Sequence, residues 1–367
     1  MKKRWSVKSR PYVFVAVFAA LGLGTLLLVR AATPTANIQP ENGTKTGNVA
    51  TVSDGNASGG QAIQFGSVTA PSSWPNASNV GLLVPTTRTF GGVTIDSTSW
   101  FTSNGFSGAG TQANPYLVDR VLFTSRVRLG NDDSSNLSGK WVKFTNCRFY
   151  GDPSTPTQGG SADLEAKYNA PFFIVEDSTL GHSAGTIPSG GTPTGTDKAI
   201  MSYVPFQAFR NNIYGAAIPV YFETERNETT GVLVQDNYIH DIWSSGLPPP
   251  NDDHTDVING NFHASHVTIR HNYIDGIRSG NSYTVNCFGI YDDPPGSGGI
   301  IEDWTIDNNY IDRCTTLILS STSSSRFLNP FVVTNNVFAR SSGARFSMRT
   351  PSVQSGNVDQ NGNPVTL

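Results

Sequence analysis

Between residues 240 and 271 the chain gathers five of its six histidines, His240, His254, His263, His266 and His271, beside Asp241, Asp252, Asp253 and Asp256. Imidazoles move protons near neutral pH, carboxylates can be tuned to do so, and carboxylate oxygens also hold hard cations. From His254 to Asn259 the chain reads His-Thr-Asp-Val-Ile-Asn. As a strand, its period of two places His254, Asp256 and Ile258 on one face and Thr255, Val257 and Asn259 on the other. Burying a His and an Asp without partners is costly, so the expectation turns His254 and Asp256 outward. Glu223 and Glu225 close a similar stretch before this one, and Asp292 and Asp293 close one after it. If the three stretches stack in register, these acids lie within roughly 5–10 Å of Asp256.

Such a cluster needs a scaffold, and the sequence supplies one by repeating itself. A short alternating strand, a polar turn and a second apolar stretch recur as VKFTNCRFYG from Val142, FIVEDSTLGH from Phe173 and QAFRNNIYGA from Gln207. The same phrase returns from Val232, Val267, Trp304 and Val332. One turn position reads Cys147, Ser178, Asn212, Asn237, Asn272, Asn309 and Asn336, at spacings of 31, 34, 25, 35, 37 and 27 residues. Strands this short cannot bury a face alone and must stack on copies of themselves. An Asn in this slot can adopt the left-handed conformation and bond the next Asn above it. The expected fold is all-β, a single-stranded right-handed parallel β-helix (a solenoid) with an Asn ladder, each coil rising about 4.8 Å. A further strand precedes each phrase, at residues 199–203, 218–222, 254–259, 287–291, 316–320 and 344–348. The Gly-, Pro- and Ser-rich insertions at 181–198, 243–253 and 278–286 all enter one flank, where they form a groove.

Composition agrees with this architecture. Charged residues make up only 14%, while Gly numbers 37, Pro 22 and Asn 30, which disfavours helices and favours turns. The first 30 residues hold six bases and no acid, leaving 19 bases against 28 acids in the rest. An acidic body does not suit nucleic-acid binding, which relies on cations that displace phosphate counterions. Residues 12–29 are apolar behind a basic stretch, which reads as an export signal or a membrane anchor and sends the body outside the cytoplasm. Three cysteines, Cys147, Cys287 and Cys314, are too few for a disulfide framework; at most one pair forms, and buried apolar thiols are the simpler reading. The domain reading is therefore a signal or anchor at 1–32, a hairpin piece at 37–70, a linker and cap at 71–130, the β-helix at 131–350 and a frayed tail at 351–367.

The ladder, with HNYID from His271 and HTDVIN from His254, resembles the pectate-lyase-like superfamily of exported bacterial β-helix proteins over roughly residues 90–350. Within the matching pattern Val257 stands where Gly is usual and Asn259 where Gln is usual. The phrase from Ala57 to Phe65 is similar to a fragment of β-sandwich carbohydrate-binding modules. The resemblance implies cleavage or binding of acidic polysaccharides.

On that footing two reactions fit the cluster. β-Elimination of a uronate takes a cation to neutralise the sugar carboxylate and a base to remove the neighbouring proton. Asp253, Asp256, Glu223 and Asp292 are the candidate Ca²⁺ ligands, and His254, Asp256, Arg278 and Tyr291 the candidate catalytic set. Hydrolysis takes two carboxylates, about 5–5.5 Å or 6.5–9.5 Å apart, and Asp256 with Asp292 or Glu223 is the candidate pair. Trp243 and Tyr291 offer ring faces to a sugar. Each feature also has a plain structural reading: His240 and Asp241 as a turn pair, His266 and His271 as capping residues, Asp292 and Asp293 as a strand exit. The functional expectation is an exported, monomeric, pectate-lyase-like enzyme acting on uronate glycans. The alternative is a non-catalytic surface protein that binds a cell-surface glycan.

Overall fold

The computed structural model describes residues 49–53, 61–65, 74–131, 136–150, 162–181, 198–224, 231–242, 256–276, 286–291, 301–314, 316–320, 328, 330–340 and 350–367. The chain divides into two compact units, Met1–Gly66 and Ser67–Leu367. In the first, Val49–Ser53 pairs antiparallel with Gln61–Phe65 as a hairpin.

The second unit is a parallel β-helix built from three all-parallel sheets of eight, nine and ten strands. A typical coil contributes one strand to each sheet in turn: Ile218–Thr224 to the first, Val232–Gln235 to the second and Tyr238–His240 to the third. The following coil repeats this with Asp256–Phe262, Val267–Arg270 and Tyr273–Asp275. Register explains why the sequence repeats as it does. Val220, Ile258 and Phe288 stand side by side in the first sheet, Val234, Ile269 and Ile306 in the second, and Ile239, Ile274 and Ile311 in the third. All nine side chains are fully buried, so the three inward columns make one core that runs along the coil axis. Each inward residue is worth little alone and gains its burial from the coils above and below.

The turn between the second and third sheets carries the asparagines. Asn211, Asn237, Asn272, Asn309 and Asn336 each give a backbone N–H and a side-chain N–H to the amide oxygen of the next Asn in line, at 2.9–3.1 Å. The sequence reading is corrected here in two respects. The residue in the column is Asn211, fully buried; Asn212 faces away and meets His240 Nε2 at 2.8 Å. The left-handed conformation belongs to the residue before each column member: Asn146, Asp177, Arg210, Asp236, His271, Asn308 and Asn335 all have φ between 48° and 58°. Placing the strain one residue earlier aims the following backbone N–H at the next amide oxygen. The column also continues past the expected end, to Asn357.

The solenoid begins within the stretch read as linker and first coils, and it ends later than expected. Arg88–Phe90, Val93–Ile95 and Tyr116–Asp119 already form the terminal strands of the three sheets, within the stretch read as linker and cap. A short helix, Thr98–Ser103, buries Phe101 flat against Tyr116 at 4.4 Å between ring centres. The stretch expected to fray, 351–367, instead adds Val353–Ser355 and Val358–Asp359 to the second and third sheets. Val365 and Leu367 then pack against the core, covering its upper end. The strand expected at 344–348 and the leader expected at 1–32 lie outside the described residues.

Candidate functional site

Strands of the first sheet turn apolar side chains inward and polar ones outward. In Ile218–Thr224, Val220 and Phe222 enter the core while Tyr221 and Glu223 face out. Register then assembles an outer face across three coils. Tyr221 stands beside Asn259, and Asn259 beside Gly289; Glu223 stands beside Asn261, and Asn261 beside Tyr291.

These residues form a hydrogen-bonded network in two parts, one around Glu223 and one around Asp256. The Tyr221 hydroxyl donates to Glu223 and accepts from Asn261 Nδ2 at 3.0 Å. The Tyr168 hydroxyl donates to the other Glu223 oxygen at 3.3 Å. Asp256 accepts from Asn259 Nδ2 at 2.6 Å, Asn286 Nδ2 at 2.8 Å and the Tyr291 hydroxyl at 3.2 Å. Gly289 makes this possible: a Cβ there would lie 2.5 Å from both the Asp256 carboxylate and the Tyr291 ring. Burial foremost, and then the neighbouring carboxylate, push the phenols of Tyr221 and Tyr291 well above the usual tyrosine range. Both therefore remain protonated donors.

Below this network the same face becomes cationic. Glu165, only 2% exposed, meets Lys167 at 2.9 Å, Arg128 at 3.1 Å and Arg126 at 3.6 Å. Lys167 also lies over the Tyr203 ring, Lys198 lies over the Tyr221 ring, and Tyr168 and Tyr203 face each other at 4.4 Å.

Of the residues the sequence nominates, Asp256, Glu223 and Tyr291 fall on this face. His254, Arg278, Asp253, Asp292 and Trp243 lie outside the described residues. Two geometric expectations are corrected. Asp256 was expected to share an outward, open face with Ile258, yet Ile258 is in the core and the Asp256 side chain is fully buried. Val257 and Ile258 are both core residues, so strict alternation does not extend back to Asp256, whose carboxylate turns toward Asn259 and Tyr291. Glu223 was expected within roughly 5–10 Å of Asp256 on a matching strand end; register sets its backbone opposite Asn261, five residues further along the strand. That is roughly 16 Å of strand. Among the described residues no three His, Cys, Asp or Glu converge as a cation site, so Asp256 and Glu223 by themselves do not supply the Ca²⁺ ligands the resemblance implies.

The histidines that are described serve the turns. His240 lies between Asp241 and Asn212 at 2.9 and 2.8 Å, and burial holds its imidazole below the usual range despite Asp241. His266 meets Asp303 at 2.9 Å, and His271 meets Asp236 at 2.5 Å beneath the ring of Trp74. Sequence reasoning missed Tyr221, Asn259, Asn261, Asn286 and Tyr168. The alternating positions flanking Glu223 and Asp256 were the available signal, once the strands are set in register.

Comparison of the chain with protein-family models, with curated proteins and with solved structures found no match.

Proposed function

We propose that the protein is exported and that the outer face of its first sheet binds a polysaccharide running along the solenoid axis. The observation that carries this reading is the alternation of tyrosine with carboxylate and amide side chains over successive strands, at Tyr203, Tyr221, Glu223, Asn259, Asn261 and Tyr291. Strands about 4.8 Å apart offer an extended glycan a fresh set of contacts at each coil. Tyrosines suit sugars because a ring face packs on C–H bonds while the hydroxyl bonds at the edge. Export is supported by the basic-then-apolar start of the chain and by a disulfide between Cys287 and Cys314, a bond that persists in oxidising compartments.

Binding is the activity these residues support best. Asp256 and Glu223 are engaged as acceptors in separate parts of the network, and the other groups considered for β-elimination, Asp253, His254, Arg278 and Asp292, lie outside the described residues. The test is electrophoresis of the purified chain through gels containing soluble polysaccharides, with ultraviolet detection of unsaturated products with and without Ca²⁺. Retardation without product supports a binding protein. Product formation makes it a lyase, and failure of every polysaccharide to retard the chain overturns the glycan reading.

A further inference from the structure

We infer that the side-chain oxygens of Asn259 and Asn261 form a recessed acceptor subsite for the hydroxyl groups of a neutral sugar. The inference rests on the glycan reading above and names the class of glycan. It begins from the hydrogen-bond network, which fixes how both amides are turned. An ionised Asp256 only accepts, so Asn259 must present its NH₂ to it. Tyr221 gives its one proton to Glu223, so the Asn261 group facing that hydroxyl must also be NH₂. The two carbonyl oxygens consequently point away from the carboxylates. Both are buried, and neither has a hydrogen-bond partner among the described residues.

Asn259 is only 4% exposed. It stands two residues from Asn261 on the same face, so the two α-carbons are about 7 Å apart. A buried acceptor left unmet costs more than a met hydrogen bond returns. The subsite is thus complete only when something donates to it. The phenols and amide nitrogens described above serve Asp256, Glu223 and the Tyr221 hydroxyl, and the two amide oxygens stand beside those two carboxylates.

A uronate would bring its own carboxylate and further acceptors to that place. The described cations of this face, Arg126, Arg128, Lys167 and Lys198, belong to the coils below, three of them on Glu165. A neutral sugar brings hydroxyl donors and no charge.

The probes are a soluble β-glucan and a soluble mannan beside polygalacturonate and alginate, each with Ca²⁺ or with a chelator, run against the purified full chain. The expected result is stronger retardation by a neutral polymer, unaffected by chelation. Asn261→Leu should weaken that retardation about tenfold, the worth of one hydrogen bond at the upper end of its range, without lowering the melting temperature. Asn261→Asp keeps an acceptor at the position and should retain binding. Retardation by uronates alone, retardation that requires Ca²⁺, or an unchanged Asn261→Leu variant would each overturn the inference while leaving the glycan reading in place. If Asn261→Leu fails to fold, the preference of the unmodified chain between neutral and acidic polymers, together with Asn261→Asp, decides the matter. No retardation by any polymer removes both.

Discussion

Tyr221 and Tyr291 donate their phenol protons to carboxylates, and their ionisation is opposed first by burial and then by those carboxylates. Tyr273, in the third sheet, is raised for the same leading reason, with Asp275 next. Cys147 belongs with them: burial pushes its thiol from 9.0 up to about 12. In all four the neutral form is favoured by folding, so the stability they contribute is intact below the unfolded-state values and is lost as pH rises past them. The window therefore opens near pH 9 for the thiol and near pH 10 for the phenols. Absorbance titration should show these three tyrosines ionising only as the fold is lost, with the urea midpoint falling from pH 9 upward. Ordinary titration of all twelve tyrosines in a chain that keeps its circular dichroism would contradict this. Asp256 is the other residue whose role the coordinates redefine. Its chemistry was legible, but its burial was not, because Gly289 and Tyr291 come from a different coil. Asp256→Ala leaves three buried or half-buried donors facing a void and should cost about 3 kcal/mol, read as a lower denaturant midpoint.

At the scale of the element, the asparagine column shows what a repeat can and cannot reveal. The existence of the column was plain from spacing. Its membership failed at one position, where Asn211 and Asn212 are adjacent and either could fill the slot. Aligning buried Ile213 with Ile239 and Ile274 resolves it, since each column member lies two residues before that apolar position. The site strands were harder to read. Residues 254–259 looked like a strand, but the strand is Asp256–Phe262, and that shift decides which acid stands beside which. Pairwise register depends on insertions whose lengths differ from coil to coil, so alternation within one strand does not set it. The column allows a direct comparison. Asn272 bonds Val234, Arg270 and Asn309 and accepts twice from Asn237, all in the interior. Asn272→Ala should cost about 3 kcal/mol in urea unfolding, whereas Asn212→Ala, on the outer side, should cost about 1 kcal/mol or less. Equal costs would mean that the buried amides are not what holds successive turns in line.

In the second unit each coil pairs its strands with the coils directly above and below, so stability is close to a sum of coil and interface contributions. Both ends of the core are closed by the chain itself, through Phe101 and Tyr116 at one and Val365 and Leu367 at the other. Composition alone suggested a frayed tail there because the last residues are small and polar; the pairing of Val353–Ser355 and Val358–Asp359 depends on the strands beneath them. One covalent link reinforces the stack. Cys287 and Cys314 are 27 residues apart, one coil of the helix, with α-carbons 5.7 Å apart. Cys287 lies in Asn286–Tyr291, the strand that brings Asn286 and Tyr291 to Asp256, so the link anchors the site to the coil above. A closed loop of this length removes unfolded-state freedom worth about 3–4 kcal/mol in the chain-entropy account. Thiol titration in denaturant should find one free thiol per chain, Cys147, before reduction and three after it. Reduction, or Cys314→Ala, should lower the urea midpoint by a matching amount and loosen the Asp256 network before the distant coils, seen as earlier amide exchange in residues 286–291. Three titratable thiols in the unreduced protein would show that the two sulfurs pack as a buried contact and that the site is held by register alone.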